Sequence, residues 1–508
     1  MSAICLFSFL FSFAFLSASE TQASSEYDQR RNLLISKINN QKYGSMKITE
    51  ADQKFLEYFE QFGKKSFEIF PDDFYYSLAI KYKDLIENIP FFDKLKLLPK
   101  GGLLHHHLAD AIDPNLLLSL LDDPNIYLVD NQFMGNIYGI LIYNQRKIEG
   151  ATKMTDIKTK YIKEYGFNEG TKIFEKIVRK NLTIFSEELK NVTNNDLAWD
   201  HFLQKIFYAG SLIQYRTFYY KHIMNIFKEC VENNIFRFET RISMGQITNE
   251  YNELITLDEE MKIYEECLFE IKKIYPRFSF GIIVQLSRTF SDEMIEVKMR
   301  EAYYLKSKYG EIIIGLDFDG DENSFRKFQN LSTVILSAQK KLEAEFYCKL
   351  PLILHCGESL KLSNQNPIDG VLLESKRFGH GLNLLKFPYL LEIIKNNDVC
   401  IEVNPIGNQL LKNVIDLRWH PAITYLGMGI KIVISNDDPT IYGTKGINYD
   451  LIVAMAAFEM NIIDLKRVLL NSIECSIIGK DEKKEMTSNF YEMWDKAISE
   501  FNKEPMTN

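Results

Sequence analysis

The chain has 508 residues, 46% of them hydrophobic and 25% charged, with a formal net charge of −9. That length exceeds one minimal core and allows roughly two to four domains' worth of chain. The acidic balance excludes a general nucleic-acid binder, which needs a basic face.

The first residues, "MSAICLFSFLFSFAFLSASE", hold an apolar run from Ile4 to Leu16 followed by small and polar residues. The run is too short to span a bilayer and has the length of a signal-peptide core, so residues 1–19 read as a cleaved secretory signal in preference to a membrane anchor. No later stretch reads as a transmembrane helix. N-glycosylation sequons at Asn181, Asn191 and Asn330 are compatible with secretion. The seven cysteines, Cys5 among them, show no disulfide framework and no zinc knuckle in their spacing. Stability is therefore expected from core burial and not from disulfides.

Residues 20–98 form a helical module in this reading. "EYDQRRNLLISKI", "TEADQKFLEYFEQF" and "FYYSLAIKYKDLIENI" place apolar residues three and four apart. From Gly101 the character changes. Eight short apolar runs end in polar or reactive residues: "GGLLHHHL", "IFRFETRI", "FSFGIIVQLS", "EIIIGLDFDG", "LPLILHCGES", "RFGHGLNL", "VCIEVNPIGN" and "IKIVISNDDP". Helix-like segments separate most of them. Alternating strands and helices imply a parallel sheet, and eight of them fit a (β/α)₈ TIM barrel over residues 99–508. A doubly wound open sheet is the runner-up, but no Gly-rich phosphate turn follows the first strand.

Residues 125–195, after the first strand, are too long for a barrel loop and read as an inserted subdomain, helix-like in part. Arg146 through Lys180 holds ten Lys/Arg against five Asp/Glu, a local balance of +5. Such a run is either a solvated helical face or a surface for a receptor or a glycosaminoglycan polyanion.

Working residues of a barrel sit at the C-terminal strand ends. Five of the eight histidines fall there: His105, His106, His107, His355 and His380. Side chains alternate along a strand, so His105 and His107 share a face while His106 points away. With His355 and Asp437 of "SNDDP" they make a His₃Asp set, and nitrogen and oxygen donors of this kind suit zinc. Cys356 is turned from His355's face by the same alternation and reads as core, not as a thiol nucleophile.

The motifs "LPKGGLLHHHLADA", "GLDFDGDE", "LILHCGES", "FGHG" and "SNDDP" together resemble those of the adenosine deaminases. The helical module, the insertion and the leader resemble the extracellular branch, the adenosine deaminase-related growth factors or type 2 adenosine deaminases. The resemblance covers nearly the whole mature chain. It implies one Zn²⁺ per chain on His105, His107, His355 and Asp437, with Glu358 and His380 as the catalytic pair. It implies purine contacts from Asp438 and Gly320, and Trp199 of "LAWDHFLQKIFYAG" over the nucleoside. It further implies a secreted homodimer, joined through the N-terminal module, that converts adenosine and 2′-deoxyadenosine to inosine products and ammonia. Two departures are visible: Leu108 stands where extracellular members often carry a ribose-binding aspartate, with Asp110 two residues later, and Ser287 stands where relatives can place a histidine. AMP deamination is the enzymatic rival, though no basic pocket for a 5′-phosphate is evident. A growth-factor-like signalling protein that binds adenosine or a receptor is the other, but a pure binder has no chemical need for Glu358.

Overall fold

All eight apolar runs are strands in the computed structural model, which describes residues 27–133, 136–184, 188–189, 192 and 194–503. The strands are β1 (Gly101–Leu103), β2 (Ile235–Ile242), β3 (Ser279–Ser287), β4 (Ile313–Asp319), β5 (Leu354–Cys356), β6 (Arg377–His380), β7 (Cys400–Val403) and β8 (Ile432–Ile434). They form two parallel four-stranded arcs in the orders β1-β2-β3-β4 and β8-β7-β6-β5. Bridges Leu316↔Leu352 and His106↔Asp437 join the arcs at their two seams. The sheet thus closes into a barrel, which removes the unpaired edges an open sheet would expose.

Helices separate the strands, as the alternating pattern requires. Leu257–Ile274, between β2 and β3, starts at a Thr256–Glu259 capping box, carries Asp258, Glu259 and Glu260 in its first turn, and ends with Lys272 and Lys273. Each charge there complements the helix dipole. Among the described residues no helix is long and apolar enough to cross a membrane.

Three expectations need correction or fall outside view. The segment read as one helix over 74–89 is broken into Asp72–Tyr76, a 3₁₀ turn Ala79–Tyr82 and Lys83–Asn88. The cause is tertiary: Gln409 accepts from the Ala79 N–H at 2.7 Å and donates to the Tyr75 carbonyl at 3.0 Å, taking backbone groups a continuous helix would use. Cys400 and Cys475 form a disulfide across 75 residues, with Cα atoms 6.1 Å apart. Spacing could not reveal it, because the barrel and not the sequence brings them together. Residues 1–19, Cys5 and Asn191 lie outside the described residues.

The insertion is more than helices. Ile126–Phe133 and Asn136–Tyr143 pair antiparallel, Thr152–Lys153 adds a short third strand, and helices Met154–Tyr165 and Phe167–Leu182 follow. Ile126, Leu141, Met154, Phe174, Val178 and Leu182 share a core separate from that of the barrel. Helix Asn195–Ile213 joins the two: Ala198 and Phe202 pack on the barrel side, and Tyr208 and Leu212 pack into the insertion. Trp199 lies on this helix, edge-on to Phe202 at 5.0 Å.

Candidate active site

The C-terminal strand ends open into a cavity of about 860 Å³. Its walls include His107, Trp199, Gly320, His355, Glu358, His380, Asp437 and Asp438. His105, the remaining residue singled out from the sequence, is fully buried behind them with Nε2 3.0 Å from Asp437 Oδ1. Alternation holds at β1: His106 turns outward, its Nδ1 3.0 Å from Thr240 Oγ1 and its ring 4.9 Å from Phe238. Cys356 likewise faces the core, against the Asn366 carbonyl.

Three imidazoles converge through their Nε2 atoms because each is gripped at Nδ1. Glu402 Oε2 holds His105 at 2.7 Å, Asp317 Oδ2 holds His355 at 2.7 Å, and Gln285 Oε1 faces His107 at 3.1 Å. These acceptors draw the ring proton to Nδ1 and leave a lone pair on each Nε2. Yet His107 Nε2 and His355 Nε2 are 3.3 Å apart, and His107 Nε2 is 3.4 Å from Asp437 Oδ1. Lone pairs at this spacing repel unless a cation sits among them. Donors about 2.0–2.2 Å from one zinc lie about 2.8–3.8 Å apart in four- or five-coordinate geometry, so these separations fit a small metal ion. His105, His355, His380 and Asp437 have donor atoms all within 4.8 Å of one another, and His107 joins Asp437 and Asp438 in a second such group. Burial also holds the His107 and His355 rings below their ordinary pKa, which keeps those lone pairs free at neutral pH.

Behind the imidazoles lies a buried ionic lattice that strand pattern alone did not single out. Arg241 donates to Asp317 and to Glu402, each at 2.7 Å; Arg377 donates to Glu402 and to Glu239, each at 2.5 Å; Arg237 donates to Glu239 at 3.0 Å. Three arginines balance three carboxylates, so the lattice itself carries no net formal charge. The available signal was the charges at alternate positions of "IFRFETRI": a strand covered on both faces cannot leave them unpaired.

Glu358 sits in a turn that only glycine can make. Gly357 has φ +83°, and a Cβ there would lie 2.5 Å from Asn383 Oδ1. Glu322 accepts from the N–H groups on either side, Gly357 at 2.9 Å and Ser359 at 3.0 Å, and so aims Glu358 into the cavity. Burial raises the Glu358 pKa well above the carboxylate range, and the charges of Asp437 and Glu322 push it the same way. Gly320 has φ +113°, and a Cβ there would strike Phe325 at 2.6 Å, so its backbone lies bare at the cavity wall. His380 (φ +68°) and Asp437 (φ +53°) are both left-handed, as are seven other non-glycine residues among those described. Of the two departures, Asp110 reaches the cavity although Leu108 precedes it, and Ser287 lines the cavity with its Oγ 2.8 Å from Thr289 Oγ1.

Residues 159–493 match the family model described as adenosine deaminase. The chain is 27% identical over 447 residues to adenosine deaminase 2 of Pongo abelii, covering 85% of this chain and 84% of that protein. It is 28% identical over 432 residues to adenosine deaminase 2-A of Danio rerio, covering 83% and 84%. An amidohydrolase from Burkhoderia ambifaria, solved with bound zinc, superposes with a TM-score of 0.53 at 16% identity over 81% of this chain and 95% of that one, a likeness of fold. With the family model matching most of the chain and a histidine–carboxylate site at the barrel mouth, the chain is an enzyme that belongs to the adenosine deaminase family.

Proposed function

We propose that this enzyme is a secreted, zinc-dependent deaminase of adenosine and 2′-deoxyadenosine. The observation that carries it is the meeting of three imidazoles, each backed by a side-chain oxygen at Nδ1, with the Asp437 carboxylate beside Glu358 at one cavity. His105, His107, His355 and Asp437 would hold one zinc, whose Lewis acidity makes a water nucleophilic at neutral pH. The zinc of the Burkhoderia neighbour supports this choice of metal.

The chain's own groups do the rest. Glu358, protonated through its burial, donates to N1 of the purine as water adds at C6 and charge moves onto the ring. His380 donates a hydrogen bond to the attacking oxygen and steadies its developing charge. Asp438 shares a proton with N7, the bare backbone at Gly320 admits the purine edge, and Trp199 covers the nucleoside. The departing amine leaves as ammonia with the proton shed by the water, the C6 hydroxyl returns its proton to Glu358, and inosine remains. AMP is disfavoured because Asp196, Asp200 and Asp321 line the cavity. Among the described lining residues Arg241 is the one Lys or Arg, and it is committed to Asp317 and Glu402. A 5′-phosphate would meet like charge without a free cation. Secretion rests on the apolar leader and on the exposed sequons Asn181 and Asn330.

The test is to incubate the purified protein with adenosine, 2′-deoxyadenosine and AMP, with and without chelator, and follow loss of the adenine absorbance. Consumption of both nucleosides, indifference to AMP and arrest by chelator are expected. Faster turnover of AMP, or activity untouched by thorough chelation, contradicts the proposal.

A further inference from the structure

Two candidate ligand groups share Asp437: one holds His105, His355 and His380 with it, the other His107 and Asp438. One of the His380 ring nitrogens lies within 4.8 Å of donor atoms on His105, His355 and Asp437, so His380 competes with His107 for the fourth place around a metal. A chain of hydrogen bonds behind His380 decides between them.

The chain starts at a group whose role is fixed. The Ala422 backbone N–H can only donate, and it meets His420 Nδ1 at 3.1 Å. His420 Nδ1 is therefore an acceptor and the ring proton sits on Nε2, which lies 3.1 Å from Asn408 Oδ1. Burial lowers the His420 pKa to about 3, in keeping with a neutral ring. Because the Asn408 oxygen is taken by His420, its amide nitrogen faces His380 Nδ1, at 3.0 Å. Asn404 Nδ2 approaches the same atom at 3.5 Å. His380 Nδ1 thus accepts, and its proton must sit on Nε2. Each of His105, His107 and His355 faces a side-chain oxygen at Nδ1; His380 faces amide donors there, so its tautomer is the reverse of theirs.

We propose that the relay Ala422–His420–Asn408 fixes His380 as an Nε2–H donor, which bars it from the metal and aims its N–H at the reacting oxygen. Asn408 and His420 are then positioning residues for the deamination. The inference rests on the deaminase reading above, but its first measurement does not depend on activity.

In protein labelled with ¹⁵N-histidine, long-range ¹H–¹⁵N correlation, assigned with a His380→Gln variant, should show His380 with a bare Nδ1 and a protonated Nε2. Asn408→Asp offers a carboxylate to both rings and should invert the His380 tautomer. The bare Nε2 then gains access to the metal, so the visible spectrum of the cobalt-substituted variant should change. Its kcat should fall roughly 10²–10³-fold, the scale of losing one oxyanion donor. His420→Gln, whose amide can still donate to Asn408, should keep the wild-type spectrum and most of kcat. An Nδ1–H tautomer at His380 in the wild type overturns the proposal even if a variant fails to fold. So does an unaltered tautomer in Asn408→Asp, or an inverted one with wild-type spectrum and kcat. Failure of the deaminase reading would show separately, as a wild-type protein that leaves adenosine untouched with the His380 tautomer as stated.

Discussion

Asp437 and Asp438 are adjacent in the chain, equally buried, and pushed in opposite directions. Burial raises both; at Asp437 the imidazoles of His105, His380 and His107 outweigh it and hold the carboxylate well below its ordinary pKa. At Asp438 the charges of Asp437 and Asp110 add to burial and push it well above. Tyr442 donates to Asp438 Oδ2 at 2.8 Å and fixes its direction. One therefore suits a cation and the other a shared proton. Asp437→Asn should lower zinc content measured by metal analysis. Asp438→Asn should keep zinc and lose about ten- to a hundredfold in kcat/KM, the weight of one buried polar contact at about 1–3 kcal/mol. Zinc depletion in Asp438→Asn with full loading of Asp437→Asn would show the roles reversed. The donor residues were legible in the sequence because a histidine pair and an aspartate pair at strand ends are unusual. Their supports, Gln285, Asp317 and Glu402, were not, since only the closed barrel shows which carboxylate meets which ring.

Among elements, the eight barrel strands were legible because each apolar run stops at a charged or reactive residue. The antiparallel hairpin of the insertion was not, because its segment was read for helical spacing and not for strand alternation. The tie between the N-terminal helices and the barrel was also hidden. Helix Glu50–Tyr58 docks on helix Lys480–Lys503 through Phe55 and Phe501, whose rings are 5.5 Å apart, and through buried Asp52. Asp52 accepts from Lys466 Nζ at 2.6 Å and from Trp494 Nε1 at 2.7 Å, while closing the capping box with Thr49. Lys466 is itself fully buried. Asp52→Ala would strand that ammonium, so denaturant unfolding should register a loss of about 3–5 kcal/mol. A loss under about 1 kcal/mol, the range of an exposed pair, would mean that water reaches Lys466.

For the whole molecule, the balanced ionic lattice and the acidic surface leave a pH dependence that buried lone carboxyls should set. Glu260 is buried on helix Leu257–Ile274, accepting from the Gly245 N–H at 2.7 Å, and burial raises its pKa to about 7. Its folded value lies above the unfolded one of about 4.3, so its stabilising contribution is complete below that pH and is lost as pH rises through about 7. Glu260→Gln keeps the shape and cannot ionise. It should match the wild type to within about 1 kcal/mol in unfolding near pH 4.5 and exceed it near pH 8, by on the order of 3–4 kcal/mol. An advantage of equal size at both pH values would place the Glu260 pKa in the ordinary range. The proposed function turns on a single metal that His105, His107, His355 and Asp437 would hold as the condition for deamination. The most direct measurement is a zinc titration into metal-stripped protein while adenosine loss is followed, with His107→Ala in parallel. Activity should rise from near zero and break at about one zinc per chain, the capacity of one closed ligand set, with His107→Ala neither retaining zinc nor turning over. Full activity before any zinc is added, or full zinc occupancy and turnover in His107→Ala, would contradict it.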